Sequence, residues 1–170
     1  MIRLIAPSLC RADEYYAMAL EYSETDKLSY RRIDSSSRSR EIIEFDLSLS
    51  NEPLPLGQVK TLVRWAENEY GEIVGSCRVR VQLNDRYRKR GGHIGYDVRS
   101  RYRRRGIGTQ LLKEALGELR RAGLDRALLT CEDDNIASWK IIEKNGGKLD
   151  CIEYDEELKE KNRKYWIELS

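Results

Sequence analysis

Between residues 60 and 122 the spacing of apolar residues changes once, and that change restricts the chain to a fold in which paired strands feed a helix. Residues 60–67 (KTLVRWAE) alternate, 68–71 read as a turn, and 72–83 (EIVGSCRVRVQL) return. In the returning segment Val79 and Val81 interleave with Arg78 and Arg80, and a period of two puts the two kinds on opposite strand faces. A loop over 84–92 leads to another strand at 93–99 (HIGYDVR). Past Gly108 the period lengthens. Leu111, Leu112, Ala115, Leu116 and Leu119 share one face of a helix ending near Ala122, and Gly123 is placed to terminate it.

The flanking segments extend the pattern. Residues 2–6 form a short strand stopped by Pro7 and Ser8, and Ala12, Tyr15, Tyr16, Ala19 and Leu20 recur at helical spacing. A polar stretch over 34–39 precedes a second helix near 40–49, and Pro53 and Pro55 make 51–57 a loop. Downstream come a strand at 127–131, a helix at 135–145 closed by Gly146 and Gly147, and strands at 148–153 and 164–169. The order β-α-α-β-β-β-α-β-α-β-β predicts one α/β (α+β) domain over 1–170. Its sheet is mixed and mostly antiparallel, six- to seven-stranded, with helices on both faces.

Composition narrows the function. With 40% of residues hydrophobic, the chain can bury a full core. No apolar run approaches the ~20 residues that span a bilayer. Four scattered cysteines without a CxxC pair, and a single histidine, His93, argue against disulfide and metal frameworks. A metal-free cytoplasmic protein with no membrane contact is expected. The formal net charge is only +2, yet residues 78–105 hold eleven Lys and Arg against two acids, a net +9. Residues 132–168 hold eleven acids against seven bases, a net −4. Concentrated positive charge predicts a polyanionic ligand: a phosphate, a nucleotide or RNA.

The segment Arg103-Arg104-Arg105-Gly106-Ile107-Gly108-Thr109 lies between the strand ending at Arg99 and the helix ending near Ala122. A strand–glycine loop–helix joint directs unpaired N–H groups to one spot, where the helix dipole also favours an anion. A Rossmann fingerprint is excluded because Leu111 stands where its third glycine belongs, and no GxxxxGK[ST] P-loop is present.

These residues resemble a known family, the GNAT acyl-CoA-dependent N-acetyltransferases. Its (Arg/Gln)-x-x-Gly-x-(Gly/Ala) signature is matched by Arg103-x-x-Gly106-x-Gly108. The stretch 130–147 is similar to the family's fifth strand and following helix, with Asn135 and Ser138 at the Asn-x-x-(Ala/Ser) start. From about Val74 to Leu169 the chain resembles a bacterial branch near the ribosomal-protein N-terminal acetyltransferases.

The resemblance implies acetyl-CoA as co-substrate, held by Arg103, Arg104, Arg105, Gly106, Ile107, Gly108, Thr109, Asn135 and Ser138, with the pantetheine arm beside the preceding strand. It implies direct attack by an amine, either a small molecule or a protein N-terminus. The oxyanion donor is a backbone N–H at a strand bulge, at or next to Val98. A homodimer is common in the family, and no residue here predicts its interface.

Other roles stay open in the sequence. The family's acid tyrosine, seven positions after the asparagine, is replaced by Ile142. Tyr96, Tyr102 and Ser138 are the alternatives as acid, and His93, Asp97 and Glu132 as base. Two rival readings are a nucleic-acid-binding module using the basic 78–105 segment and a non-catalytic acyl-CoA sensor on the same fold.

Overall fold

The alternating segments of the middle of the chain pair as their spacing requires. In the computed structural model, which describes residues 1–25, 39–51, 53–157 and 159–169, β1 (Ile2–Ile5) pairs with β2 (Thr61–Asn68), and β2 turns into β3 (Ile73–Arg80). Asn68 shapes that turn, its Oδ1 accepting from the N–H of Tyr70 and of Glu72 while Gly71 takes φ +79°. β4 (Ile94–Val98) completes a four-stranded sheet in the order β1-β2-β3-β4. β5 (Arg126–Glu132), β6 (Lys148–Asp155) and β7 (Glu160–Glu168) form a second sheet in the order β5-β7-β6. Every strand pairing is antiparallel. The strands follow the predicted chain order, and the layer divides between β4 and β5.

Helices cover both faces of the first sheet. On one face, α1 (Ala12–Thr25) and α2 (Ser39–Ser48) bring Tyr15, Met18 and Ile43 against Trp65 and Ile73. The rings of Tyr15 and Trp65 stack with centroids 4.8 Å apart. Most of the polar stretch expected between these helices, residues 34–39, lies outside the described residues.

The loop expected over 84–92 contains a short helix, α3 (Asp85–Lys89), capped by Asn84 Oδ1 on the N–H of Tyr87. Five residues are too few to display a helical period, so its cap is the only local signal. On the other face, α4 (Ile107–Arg121) buries Leu111, Leu112, Ala115, Leu116 and Leu119, the stripe read from the sequence, together with Gly108. Each buried leucine contributes roughly 1.5–3 kcal/mol. α5 (Ile136–Lys144) adds Ile142 to the same core, which continues into Cys77, Val79, Ile94, Leu129, Tyr165 and Ile167.

All eight residues of β3 are buried, so its basic face is covered rather than solvated. Arg78 Nη2 lies 3.5 Å from Asp46 Oδ1 of α2, and the Arg80 guanidinium sits 4.1 Å over the Tyr87 ring. Helices on both sides of a sheet leave no exposed face for alternating charge to mark. Among the described residues no helix is long and apolar enough to cross a membrane.

Candidate active site

β4 and β5 touch at one point. The N–H of His93 donates to the Leu128 carbonyl at 2.8 Å, and the N–H of Leu128 donates to His93 Nδ1 at 2.9 Å. Gly92 permits the approach, since a Cβ there would stand 2.3 Å from the Leu128 oxygen. Beyond this contact no ladder joins the two strands among the described residues, which leaves a gap along the free edge of β4.

Backbone alternation determines what faces that gap. Arg80 N–H donates to the His93 carbonyl and Arg99 N–H to the Val74 carbonyl, so hydrogen-bonded pairs recur at every second residue between β3 and β4. Gly75 and Val98 form the intervening non-hydrogen-bonded pair, and the N–H and C=O of Val98 therefore point away from β3. The register runs unbroken from Gly75–Val98 to Val79–Ile94. The bulge expected at Val98 is thus absent, and ordinary pleat geometry turns the donor outward. Gly75 makes this possible, because a Cβ there would stand 2.5 Å from the Asp97 carbonyl oxygen. Sequence reasoning passed over this residue, although a glycine inside a strand signals close backbone approach.

The loop beside Val98 has the features of an anion cradle. Gly106 precedes α4 with φ +79° and no side-chain cap, and Arg104 also has positive φ, at 59°. A left-handed non-glycine residue costs roughly 1–2 kcal/mol, and such strain gathers at functional sites. The N–H groups of residues 104–109 donate to no other described residue, and the first helical bond there is Gln110 N–H to the Gly106 carbonyl. Gly108 packs the start of α4 close to its neighbours. A Cβ on it would stand 2.7 Å from Ile141 Cδ1 and 3.5 Å from Val98 Cγ2. Arg103 differs from its neighbours, for its N–H donates to the Ser100 carbonyl and its Nε to the Val98 carbonyl, at 2.9 Å.

A family model described as "Acetyltransferase (GNAT) family" matches residues 19–147. The chain belongs to the GNAT acetyltransferase family. It is 25% identical over 154 residues to N-alpha-acetyltransferase 30 of Homo sapiens, and equally to the Mus musculus protein. That alignment covers 85% of this chain and 42% of the relatives, so the chain spans less than half of their length. The fold is similar to that of RimL, the ribosomal L7/L12 alpha-N-protein acetyltransferase in complex with coenzyme A. There the TM-score is 0.76 at 16% identity, covering 98% of this chain and 93% of that one. The microcin C7 self-immunity acetyltransferase MccE, in complex with acetyl-CoA and AMP, superposes with a TM-score of 0.74 at 19% identity, covering 98% and 92%.

Within this GNAT chain, Ile142 is 1% exposed and belongs to the core, so the position of the family's tyrosine carries no proton donor. Tyr96 of β4 reaches the same helix from across the gap. Its hydroxyl lies 3.1 Å from Ser138 Oγ and 3.3 Å from the Ser138 carbonyl. Burial raises the Tyr96 pKa and keeps the phenol protonated. Tyr102, the other candidate phenol, donates to Glu72. Asn135 caps α5, its Oδ1 accepting from the N–H of Ser138. Cys131, beside Ser138, has its thiol pushed up to about 12 by burial, which removes it as a nucleophile at neutral pH.

The candidate bases are engaged elsewhere. His93 accepts from Leu128 through Nδ1, and burial lowers its pKa, so the imidazole is neutral. Asp97 accepts from Ser76 Oγ at 2.9 Å, on the face of β4 opposite Tyr96. Glu132 pairs with Arg90.

The +9 segment is largely used up inside the fold. Besides Arg78, Arg80 and Arg90, Arg99 binds Glu21 and Arg101 lies 3.4 Å from Glu72. The exposed cations Arg104 and Arg105 stand at the cradle, and Arg86, Arg88 and Lys89 are exposed on the short helix α3, not along a sheet face as RNA binding would need.

Proposed function

We propose that this chain is an acetyl-CoA-dependent N-acetyltransferase acting on a primary amine by direct attack in a ternary complex, with residues 1–170 forming one catalytic domain. One observation carries the reading. Open main-chain N–H groups at 104–109 stand next to Val98, whose own N–H faces the β4–β5 gap.

Acetyl-CoA supplies a thioester already activated for transfer. The N–H groups of Ile107, Gly108 and Thr109, at the positive end of the α4 dipole, suit its diphosphate, and Gly106, Arg104 and Arg105 complete the cradle. The free edge of β4 suits an extended amide-bearing arm added like a strand. Ser138, which meets Tyr96, stands across the gap from β4, and Asn135 caps the helix that carries it.

Val98 N–H donates to the acyl oxygen as negative charge grows there, a type of contact worth about 2.7–4 kcal/mol. Tyr96, oriented by Ser138, gives its proton to the departing thiolate and regains one from the water that takes the amine's. His93 holds the closed end of the gap. The amine loses its proton to water. An α-amine, with a pKa of about 7.7–8.0, is partly neutral at pH 7 and a lysine amine is not. A peptide N-terminus is therefore the acceptor class favoured, in line with the α-N specificity in the names of the relatives.

Calorimetry with acetyl-CoA tests the cradle, using wild type and a Gly108→Trp variant whose indole would collide with Ile141 and displace the start of α4, with circular dichroism checking that the variant folds. Tight binding by wild type and its loss in the variant are expected; equal binding by both refutes the assignment. Thiol release over a panel of peptides, amino acids, polyamines and aminoglycosides tests turnover. Binding without thiol release for any amine would make the protein a sensor.

A further inference from the structure

We propose that Arg103 is a positioning residue: its side chain fixes the peptide plane that ends β4, and so holds the Val98 N–H toward the gap. The inference rests on the acetyltransferase reading above.

The peptide between Val98 and Arg99 is held at both ends. Its N–H donates to the Val74 carbonyl at 2.9 Å, and its C=O accepts from Arg103 Nε at 2.9 Å. Arg99 is anchored in turn, with Nε 2.8 Å and Nη2 2.5 Å from Glu21 Oε1. In a strand the N–H and C=O of one residue point to the same side, so the Val98 carbonyl shares the gap-facing edge with the Val98 N–H. An uncovered carbonyl there would aim a negative dipole at the place where the acyl oxygen gains charge. Arg103 Nε covers that lone pair. The same contact ties the anion loop to the strand end, because Arg103 sits immediately before Arg104, the start of the open amides. Arg103 thus differs in kind from Arg104 and Arg105, whose side chains are exposed.

Three substitutions separate hydrogen bonding from charge. Gln places an N–H donor where Arg Nε stands and carries no charge. Lys keeps the charge but puts a methylene at that point, and Met supplies neither. The measurements are kcat and KM with the best acceptor from the panel, the acetyl-CoA Kd by calorimetry, and the melting temperature.

The expectation is that Arg103→Gln keeps kcat within about threefold while Arg103→Lys and Arg103→Met lose about 10- to 100-fold, as for a displaced oxyanion donor. The acetyl-CoA Kd should stay within about threefold in all three variants, far less than loss of a charged phosphate contact would cost. If Arg103→Met does not fold, the Gln–Lys comparison carries the test alone. Wild-type kcat in Arg103→Lys, or in all variants, overturns the inference. So does weakened acetyl-CoA binding in Gln with kcat intact, which would make Arg103 a diphosphate ligand. A wild-type protein that neither binds acetyl-CoA nor releases thiol overturns the acetyltransferase reading as well, so the two failures are distinguishable.

Discussion

His93 and Leu128 exchange two hydrogen bonds, one from each main-chain N–H, and His93 answers Leu128 with its imidazole Nδ1 in place of a carbonyl. A side-chain acceptor has replaced one rung of a ladder. The strands meet there without committing to pair further on, and the gap at Val98 depends on that. With Nδ1 accepting, the tautomer assigned from the hydrogen bond is the neutral Nε2–H form.

Protonation of His93 should therefore loosen the join. Burial sets its folded pKa below the unfolded value of about 6.5. Between those two values the unfolded chain binds the extra proton, so the contribution is fully present above about pH 6.5 and is lost as pH falls through the folded pKa. His93→Asn keeps an acceptor, Oδ1, near the position of Nδ1 and cannot titrate. Urea denaturation at pH 7.5 and 5.5 should show a larger loss for wild type than for the variant. Equal losses would show that His93 is not held neutral. The alkaline activity profile of the variant should match wild type, since no base has been removed.

Gly75→Ala should disturb the reaction from outside the cleft. Its Cβ would stand 2.5 Å from the Asp97 carbonyl oxygen and 3.3 Å from Leu111 Cδ2, with backbone on one side that cannot yield cheaply. A stability loss of about 1–3 kcal/mol and a fall in kcat larger than the rise in KM are expected. The comparison is Gly117→Ala on α4, where the new methyl meets only Arg121 Nη1 at 3.6 Å. That change should gain about 0.4–1 kcal/mol in the same denaturation experiment.

Tyr96→Phe removes the one phenol that reaches α5 through Ser138. A kcat reduced at least about tenfold with an unchanged acetyl-CoA Kd is expected, at the low end for general acids because a thiolate leaves without much help. Because burial raises the Tyr96 pKa, wild-type kcat should show no alkaline decline below about pH 10 from this group. An unaltered kcat in the variant would remove Tyr96 from the mechanism.

Asp46→Asn removes the carboxylate that stands 3.5 Å from the Arg78 guanidinium in the buried layer between α2 and β3. Loss of one member of a buried pair costs about 3–5 kcal/mol. Chemical denaturation should report a loss of that order, and replacing both residues by apolar ones of similar volume should recover much of it. A loss below about 1 kcal/mol would mean the pair is solvated.

Much of the frame was readable in one dimension. The Leu111–Leu119 stripe, the turn at Asn68–Gly71, the ending at Gly123 and the Arg103–Thr109 joint each depend on residues within a few positions of one another. The resemblance to GNAT proteins also rested on contiguous stretches. The helix at Asp85–Lys89 escaped notice because one turn shows no period. Alternation puts Arg78 and Arg80 on one strand face but does not say what covers that face.

The amino-acid order by itself determined the strands, the longer helices, their succession and the anion-loop motif, since hydrogen bonds and periodicity within a strand or helix are local. Only tertiary structure decided that β4 and β5 part after His93 and Leu128, that Val98 faces the gap without a bulge, that Tyr96 meets Ser138, and that Arg103 caps Val98. Most of those contacts join residues tens of positions apart, and Arg103 meets Val98 only because the chain bends between strand and helix. Their geometry comes from the packing of whole elements, which no local pattern encodes.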